Sequence, residues 1–411
     1  MSQADLAQAL NLFDPRRPLH MDELDAYYVA RPHAPLEPMK TYLRHTQQPA
    51  KILFSGHRGS GKSTELMRLA KDLQHEFFVV SFSARSLNLA DLNYIDVMLA
   101  CAAALFRAAT DKARGVNIPA ALWKQVLTWL TSEITAETTV TVPKSGSFGV
   151  KINALVLSME GKYARENTTR TIVRERLFTR LNDLIEQTNA VCGHIETVTG
   201  RRPLIICEDL DKPDLAKARD VFFDHATTLN SLACPIIYTF PIALCYSHEF
   251  PERIGDYSRH FLLPNVSLAH WDNTPHPAGC EALREVVTRR ISDSLFANGV
   301  LADIIALSGG LMRNLVRLVS DAALIALTEG AAEITAEIVQ RVASEWTNDY
   351  RRLLLAEHYT ALRQAHETKA LTPTATVRDL LANLSLLEYR NTIAWGDVNP
   401  VVSALLAEAT S

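Results

Sequence analysis

Apolar runs of three to seven residues punctuate the first two thirds of the chain, at positions 52–55, 77–83, 204–208, 236–240 and 261–263. Each is rich in β-branched or aromatic residues and too short for a helix of its own, so each predicts a buried strand. Between them apolar residues recur at helical spacing, at 39–45, 65–73, 90–110 and 169–197. Strands alternating with helices predict an α/β fold, a doubly wound parallel sheet of five strands covered on both faces. Residues 1–50 read as a lead-in broken by Pro15, Pro18, Pro32, Pro35 and Pro38. The sheet unit is expected over 51–268, with a long insertion at about 85–202. The Thr- and Val-rich stretch 138–152 in it predicts a small hairpin. Beyond Pro264 the pattern is helical to about His366, which predicts an α-helical lid over 269–345. Residues 346–411 then form a linker helix and a small unit with a helix at 376–384, strands at 386–389 and 392–395 around a turn at Arg390-Asn391, and a closing helix from Pro400. That outline is winged-helix-like.

Composition narrows the class. A chain of 411 residues, 47 % apolar and 21 % charged, is long enough for two or three cores. The net charge of −4 gives no bulk attraction to nucleic acid. Cys101, Cys192, Cys207, Cys234, Cys245 and Cys280 lack C-x-x-C or His-rich spacing, so they predict reduced, buried thiols rather than zinc ligands or disulfides. No basic segment followed by an apolar stretch opens the chain and no run of about 18 apolar residues occurs, so a cytoplasmic protein without a membrane span is expected.

The most specific signal is Gly56-His57-Arg58-Gly59-Ser60-Gly61-Lys62-Ser63-Thr64, which fits G-x-x-x-x-G-K-[ST] at every fixed position. It follows a predicted strand and opens a predicted helix, the context in which the pattern binds a nucleotide triphosphate. Glycines let backbone N–H groups turn around the β-phosphate, and the helix start adds partial positive charge. Lys62 is expected on the β- and γ-phosphates and the Ser63 hydroxyl on Mg²⁺. The second signal is Leu204-Ile205-Ile206-Cys207-Glu208-Asp209-Leu210-Asp211-Lys212, a strand ending in acids where a doubly wound sheet holds its ligand. Glu208 and Asp209 can divide two tasks, holding Mg²⁺ and polarising the attacking water, provided that the backbone bends out of the strand. Asp211, just before Pro213, suits a helix cap.

These two segments resemble AAA+ and STAND-type P-loop ATPases, in particular the bacterial branch similar to origin-recognition ATPases. The resemblance spans about residues 25–345 and implies ATP hydrolysis with Mg²⁺. It puts a polar sensor at Thr239 and a second sensor at Arg313, in Ser308-Gly309-Gly310-Leu311-Met312-Arg313. It implies an arginine finger for a neighbouring subunit at Arg253 or Arg259, and an adenine-side segment at Tyr28-Val29-Ala30-Arg31-Pro32. The usual order at the strand end is Asp and then a second acid, whereas here Glu208 comes first. The long insertion is absent from the simplest relatives, which argues against an ordinary ring. Stand-alone bacterial ATPases of this pattern serve defence or signalling modules, which implies a switch ATPase for a separately encoded effector, acting as a homo- or hetero-oligomer. A DNA-associated initiator or loader is the alternative, and a nucleotide-binding pseudo-ATPase the third. From residue 371 onward there are two basic and four acidic residues, a balance that disfavours DNA for the terminal unit.

Overall fold

The computed structural model describes residues 3–132 and 147–408. Strands β1 (Lys51–Gly56), β2 (Phe77–Ser83), β3 (Arg202–Glu208), β4 (Ile236–Pro241) and β5 (Arg259–Leu262) form one five-stranded sheet in the order β2-β3-β4-β1-β5. All its pairings are parallel, with Phe54 opposite both Thr239 and Phe261 and Val79 opposite Leu204. The two-residue period sorts the side chains onto two faces. Ile52, Phe54, Leu204, Ile206 and Ile237 pack with the helices Leu36–His45 and Lys62–Leu73. Leu53, Ile205, Cys207, Ile236 and Tyr238 pack with Tyr94–Thr110 and Asn167–Thr199. Both faces being covered, β1 is buried along its whole length, which is why its sequence shows no polar alternation.

Two boundaries differ from the pattern reading. The helix expected from residue 90 begins at Tyr94, after a 3₁₀ turn at Leu89–Asp91. Asn93 accepts the Ile95 N–H at 2.7 Å and Asp96 accepts the Asn93 N–H at 3.0 Å, so a capping box fixes the start where periodicity does not. The hairpin at 138–152 is corrected where it can be seen: residues 138–146 lie outside the described residues, and Phe148–Arg165 is a helix. Ile152, Leu155 and Val156 are buried at helical spacing in the core shared with Tyr94–Thr110. The helical period shows only beyond the point where the hairpin was expected to end.

A second core holds the lid helices Pro277–Thr288, Val300–Ser308, Met312–Glu329 and Ala336–Leu353. The N-terminal helix Gln3–Leu12 belongs to this core and not to the sheet, for Leu6, Ala9 and Phe13 are buried in it. At the turn into Met312–Glu329, Gly309 and Gly310 have φ of +59° and +69°, and a side chain at Gly310 would collide with the Val266 carbonyl. Among the described residues no helix is long and apolar enough to cross a membrane.

The last unit comprises the helices Ala356–Thr368, Ala375–Ala382 and Pro400–Glu408 around an antiparallel hairpin, β6 (Leu386–Arg390) and β7 (Ala394–Val398). The second strand starts two residues later than the pattern suggests, and Trp395 stacks on Tyr389 at 4.5 Å between ring centres. This hairpin docks on the sheet unit. Glu388 N–H donates to His57 Nε2 at 2.8 Å, Asn265 Nδ2 donates to the Glu388 carbonyl at 3.2 Å, and the Tyr389 hydroxyl donates to the Gly309 carbonyl at 2.7 Å.

Burial pushes the Glu388 carboxyl up to about 7, against the opposing pull of the Tyr246 hydroxyl that donates to it and of Arg390. A carboxyl raised above its unfolded value favours the folded state while protonated. That contribution is complete below the unfolded value of 4.5 and is lost as pH rises through about 7. Glu388→Gln keeps an acceptor for Tyr246 and removes the ionisation. Thermal unfolding of the variant is expected to show a melting temperature raised by roughly 2–5 °C at pH 8 and nearly unchanged at pH 5; equal shifts at both values would refute the buried-carboxyl account.

Candidate nucleotide-binding site

The glycine loop joins β1 to the helix Lys62–Leu73. Gly59 and Gly61 have φ of +87° and +97°, and a side chain at Gly59 would run into Arg313. The loop therefore needs glycine for its conformation and for the close approach of the lid. The first amides of the helix have no helical acceptor and, with its dipole, form a seat for an anion.

Lys62 lies at the bottom of this seat, 6 % exposed. Its Nζ donates to the carbonyls of Gly56 at 2.7 Å and His57 at 2.9 Å and pairs with Asp211 Oδ2 at 2.9 Å. Burial lowers the Lys62 ammonium, with Asp211 opposing it. Burial alone would raise Asp211, but the Lys62 charge and hydrogen bond bring it below the ordinary carboxylate value. The expected cap role of Asp211 is corrected: Asp214 caps the helix Leu215–Arg219 by accepting the Lys217 N–H at 2.8 Å. Asp211 instead supplies the countercharge to Lys62.

The acidic tip of β3 bends as two adjacent carboxylates require, because Asp209 takes φ of +64°. Glu208 is hydrogen-bonded to Ser63; burial raises its carboxyl above the usual value, and the bond to Ser63 opposes the rise. Asp209 lies in the cavity wall and is held by the Ser83 hydroxyl, by Lys212 and by Arg85 at 3.2 Å. Thr239, also in that wall, has its hydroxyl engaged by the tip: it accepts the Leu210 N–H at 2.9 Å and donates to the Cys207 carbonyl at 3.3 Å. Arg313 approaches from the lid; its N–H donates to the Gly59 carbonyl at 2.9 Å, and its partly buried guanidinium faces Asp211.

Two cavities of ≈ 130 and ≈ 110 Å³ meet here. The first is walled by Lys62, Ser63, Asp209, Asp211 and Arg313, the second by Tyr27, Tyr28, Arg31 and Glu65, and both share Gly61, Thr64 and Met312. The Tyr28 hydroxyl donates to Glu65 at 3.0 Å, and Arg68 stands over its ring at 5.4 Å. Of the loop side chains, His57 turns elsewhere, whereas Arg58 borders the first cavity. His57 is fully buried under β6, and burial, with the nearby Lys62 charge, pushes it down to about 3, so the imidazole stays neutral and its Nε2 accepts the Glu388 N–H. Arg58 donates to the Lys212 carbonyl at 2.8 Å. Arg253 and Arg259 are not brought to these cavities. Arg259 opens β5 opposite Ile52, at the end of the sheet away from the loop, with its guanidinium 5.3 Å from the Tyr42 ring.

Several contributors had no motif of their own, and Arg31 was marked only as a member of the adenine-side segment. Arg31 donates to the Ser60 carbonyl at 2.6 Å and pairs with Glu65 at 3.1 Å, both side chains 4 % exposed. The signal for Glu65 was an acid immediately behind Thr64 on the buried side of an amphipathic helix. Ser83, the last residue of β2, and Arg85, just past it, are far from β3 in sequence, and residues 14–18 lie across the mouth of the cavities.

The residues present fit a magnesium–triphosphate. A glycine cradle too tight for a Cβ at Gly56 and Gly59, a hydroxyl at Ser63 backed by Glu208, and a buried ammonium at Lys62 are the donor set that such a group needs. Among the described residues no cluster of three His, Cys, Asp or Glu could hold a metal by itself. A magnesium held mainly by phosphate oxygens and water requires none.

No family model and no curated protein matches the chain. Among solved structures it is similar to the Orc1 protein of Aeropyrum pernix in complex with DNA, at 14 % identity over 93 % of this chain and 94 % of that one, with a TM-score of 0.39. It is similar to Drosophila ORC bound to DNA at 13 % identity over 98 % and 91 %, with a TM-score of 0.41. A third is the Thermotoga maritima RuvB Holliday junction branch migration motor, at 12 % identity over 85 % and 79 %, with a TM-score of 0.35.

The Lys62–Asp211 pair must open before Lys62 can meet a phosphate. Asp211→Asn removes the competing charge from the free state, so metal-free ADP is expected to bind about tenfold more tightly, a difference of about 1.4 kcal/mol. Equilibrium binding in chelator measures it; unchanged or weaker affinity would show that Asp211 does not compete.

Proposed function

We propose that the chain is a magnesium-dependent ATPase that works as a switch. The observation that supports this most directly is the meeting of the glycine loop and the β3 tip: Lys62 on Asp211 and Ser63 on Glu208. In this reading the amides of the loop and Lys62 hold the β- and γ-phosphates, and the second cavity beside Tyr28 takes the base. Magnesium, when bound at Ser63 with Glu208 behind it, draws charge from the phosphates and the leaving oxygen. Asp209 turns the attacking water toward the γ-phosphorus and takes its proton as the P–O bond to ADP breaks, once it leaves Ser83, Arg85 and Lys212. Thr239 fixes the β3 tip that carries these acids. Arg313 brings the lid onto the γ-phosphate, so occupancy of the site changes how the lid and the terminal unit sit on the loop.

The role we assign to the switch is regulation of a separately encoded effector in a bacterial defence or signalling complex, with the protein working as a homo- or hetero-oligomer. Two features support a protein partner over DNA at the terminal unit. Its residues from 371 onward carry more acid than base, and its hairpin is engaged with the loop and the lid.

Phosphate release and nucleotide binding test the core of the proposal together. The wild type is expected to release phosphate from ATP only with Mg²⁺. Asp209→Asn should bind ATP with turnover reduced at least a hundredfold, and Lys62→Ala should lose ATP affinity. Nucleotide binding by the wild type without phosphate release above background would instead support a pseudo-ATPase.

A further inference from the structure

The lead-in does something that its sequence did not suggest. Phe13 closes the N-terminal helix inside the lid core. From there residues 14–18 cross the mouth of the nucleotide cavities, and the far end is tied down by Arg17 on Glu23 and by the His20 N–H donating to Glu23 at 2.8 Å. Pro15 and Pro18 fix two backbone torsions of this strap, and Asp14 accepts the Arg16 N–H at 2.9 Å. The strap is thus anchored to the lid at one end and stiffened along its length.

Two arginines ride on it, in different positions. Arg17 borders both cavities and is committed to Glu23. Arg16 borders only the cavity that holds Lys62, Ser63 and Asp209. Its side chain is 90 % exposed and pairs with Asp14 at 3.5 Å, a solvated rim contact that costs little to give up. Of the other cations around that cavity, Lys62 is engaged by Asp211, Arg85 and Lys212 by Asp209, and Arg58 by the Lys212 carbonyl, while Arg313 lies on the lid side, facing Asp211. A triphosphate entering there brings negative charge, and Arg16 can turn to it without breaking a buried bond.

We propose that the strap is a clamp supplied by the chain itself, and that Arg16 contacts the terminal phosphate of a bound nucleoside triphosphate and sets the preference for triphosphate over diphosphate. The proposal rests on the nucleotide reading of the glycine loop. It makes Arg16 a second contact, beside Arg313, through which the lid, carrying the strap on Phe13, distinguishes the two states of the nucleotide.

The test is equilibrium binding of ADP and of a non-hydrolysable ATP analogue, each with Mg²⁺, to the full chain and to Arg16→Ala and Arg16→Lys. Arg16→Ala is expected to lose about tenfold in affinity for the analogue, to keep its ADP affinity within twofold, and to unfold at the wild-type temperature; Arg16→Lys should recover part of the loss. Equal losses for both nucleotides, or no loss for either, would overturn the assignment while leaving the nucleotide site in place. Failure of the wild type to bind either nucleotide would instead remove the reading on which the proposal rests.

Discussion

A buried ammonium is costly unless its charge or its donors find partners, and much of this structure is arranged around the one at Lys62. Leaving such a charge unpaired costs several kcal/mol, so in the chain by itself Asp211 supplies the partner at 2.9 Å and the loop carbonyls take the remaining protons. That ties the glycine loop to the tip of β3. Under the proposed nucleotide reading, an entering phosphate would replace a protein carboxylate, so binding would be an exchange of anions at one cation, with much less new desolvation than binding to a solvated site.

The same short loop carries the other parts of the molecule. The lid touches it where the Arg313 N–H meets the Gly59 carbonyl, the lead-in where Arg31 meets the Ser60 carbonyl, and the terminal unit where the Glu388 N–H meets His57. Three of four consecutive loop positions, His57, Gly59 and Ser60, thus contact three separate segments of chain. Small shifts in a tightly packed loop are not absorbed locally, because Gly56 and Gly59 already sit where a single added carbon would collide. The loop therefore has the connections that a two-state element needs to pass nucleotide occupancy to the lid and the terminal hairpin.

The sheet was legible because burial on both faces writes continuous apolar runs, and the observed strands overlap the predicted runs to within about one to two residues at most ends. The loop was legible because its glycines are demanded by backbone torsion and close approach. What stayed hidden depends on three-dimensional proximity between remote residues. Ser83 meets Asp209 across 126 positions, and His57 meets Glu388 across 331. Neither pair has a spacing rule, and His57 occupies a position that the loop pattern leaves free. Asp211 was misjudged for a related reason. The Asp-Lys-Pro sequence is a sound local cap signal, but a buried ammonium competes for the same carboxylate, and the helix takes Asp214 instead.

The position of Glu208 ahead of Asp209 also acquires a physical sense. The first acid of the tip is still in register with β3, opposite Ser83, while its carboxyl reaches Ser63. The second acid sits beyond the strand at positive φ and points to a different set of partners. Which acid comes first thus decides which side-chain length serves which place. The longer glutamate spans from the strand to the hydroxyl, and the shorter aspartate, already carried outward by its backbone, needs no more reach. With the lengths exchanged relative to the order usual in the resembling ATPases, the backbone at Asp209 supplies the extension that a longer side chain would otherwise provide. The left-handed conformation there has a cost of about 1 kcal/mol or more. The hydrogen bond and ion pairs that Ser83, Arg85 and Lys212 make to that side chain offset it. The side chain of Asp209 is thus tied to Ser83, the last residue of β2, and to Arg85 just past it, so the conformation of the β3 tip depends on the end of that edge strand.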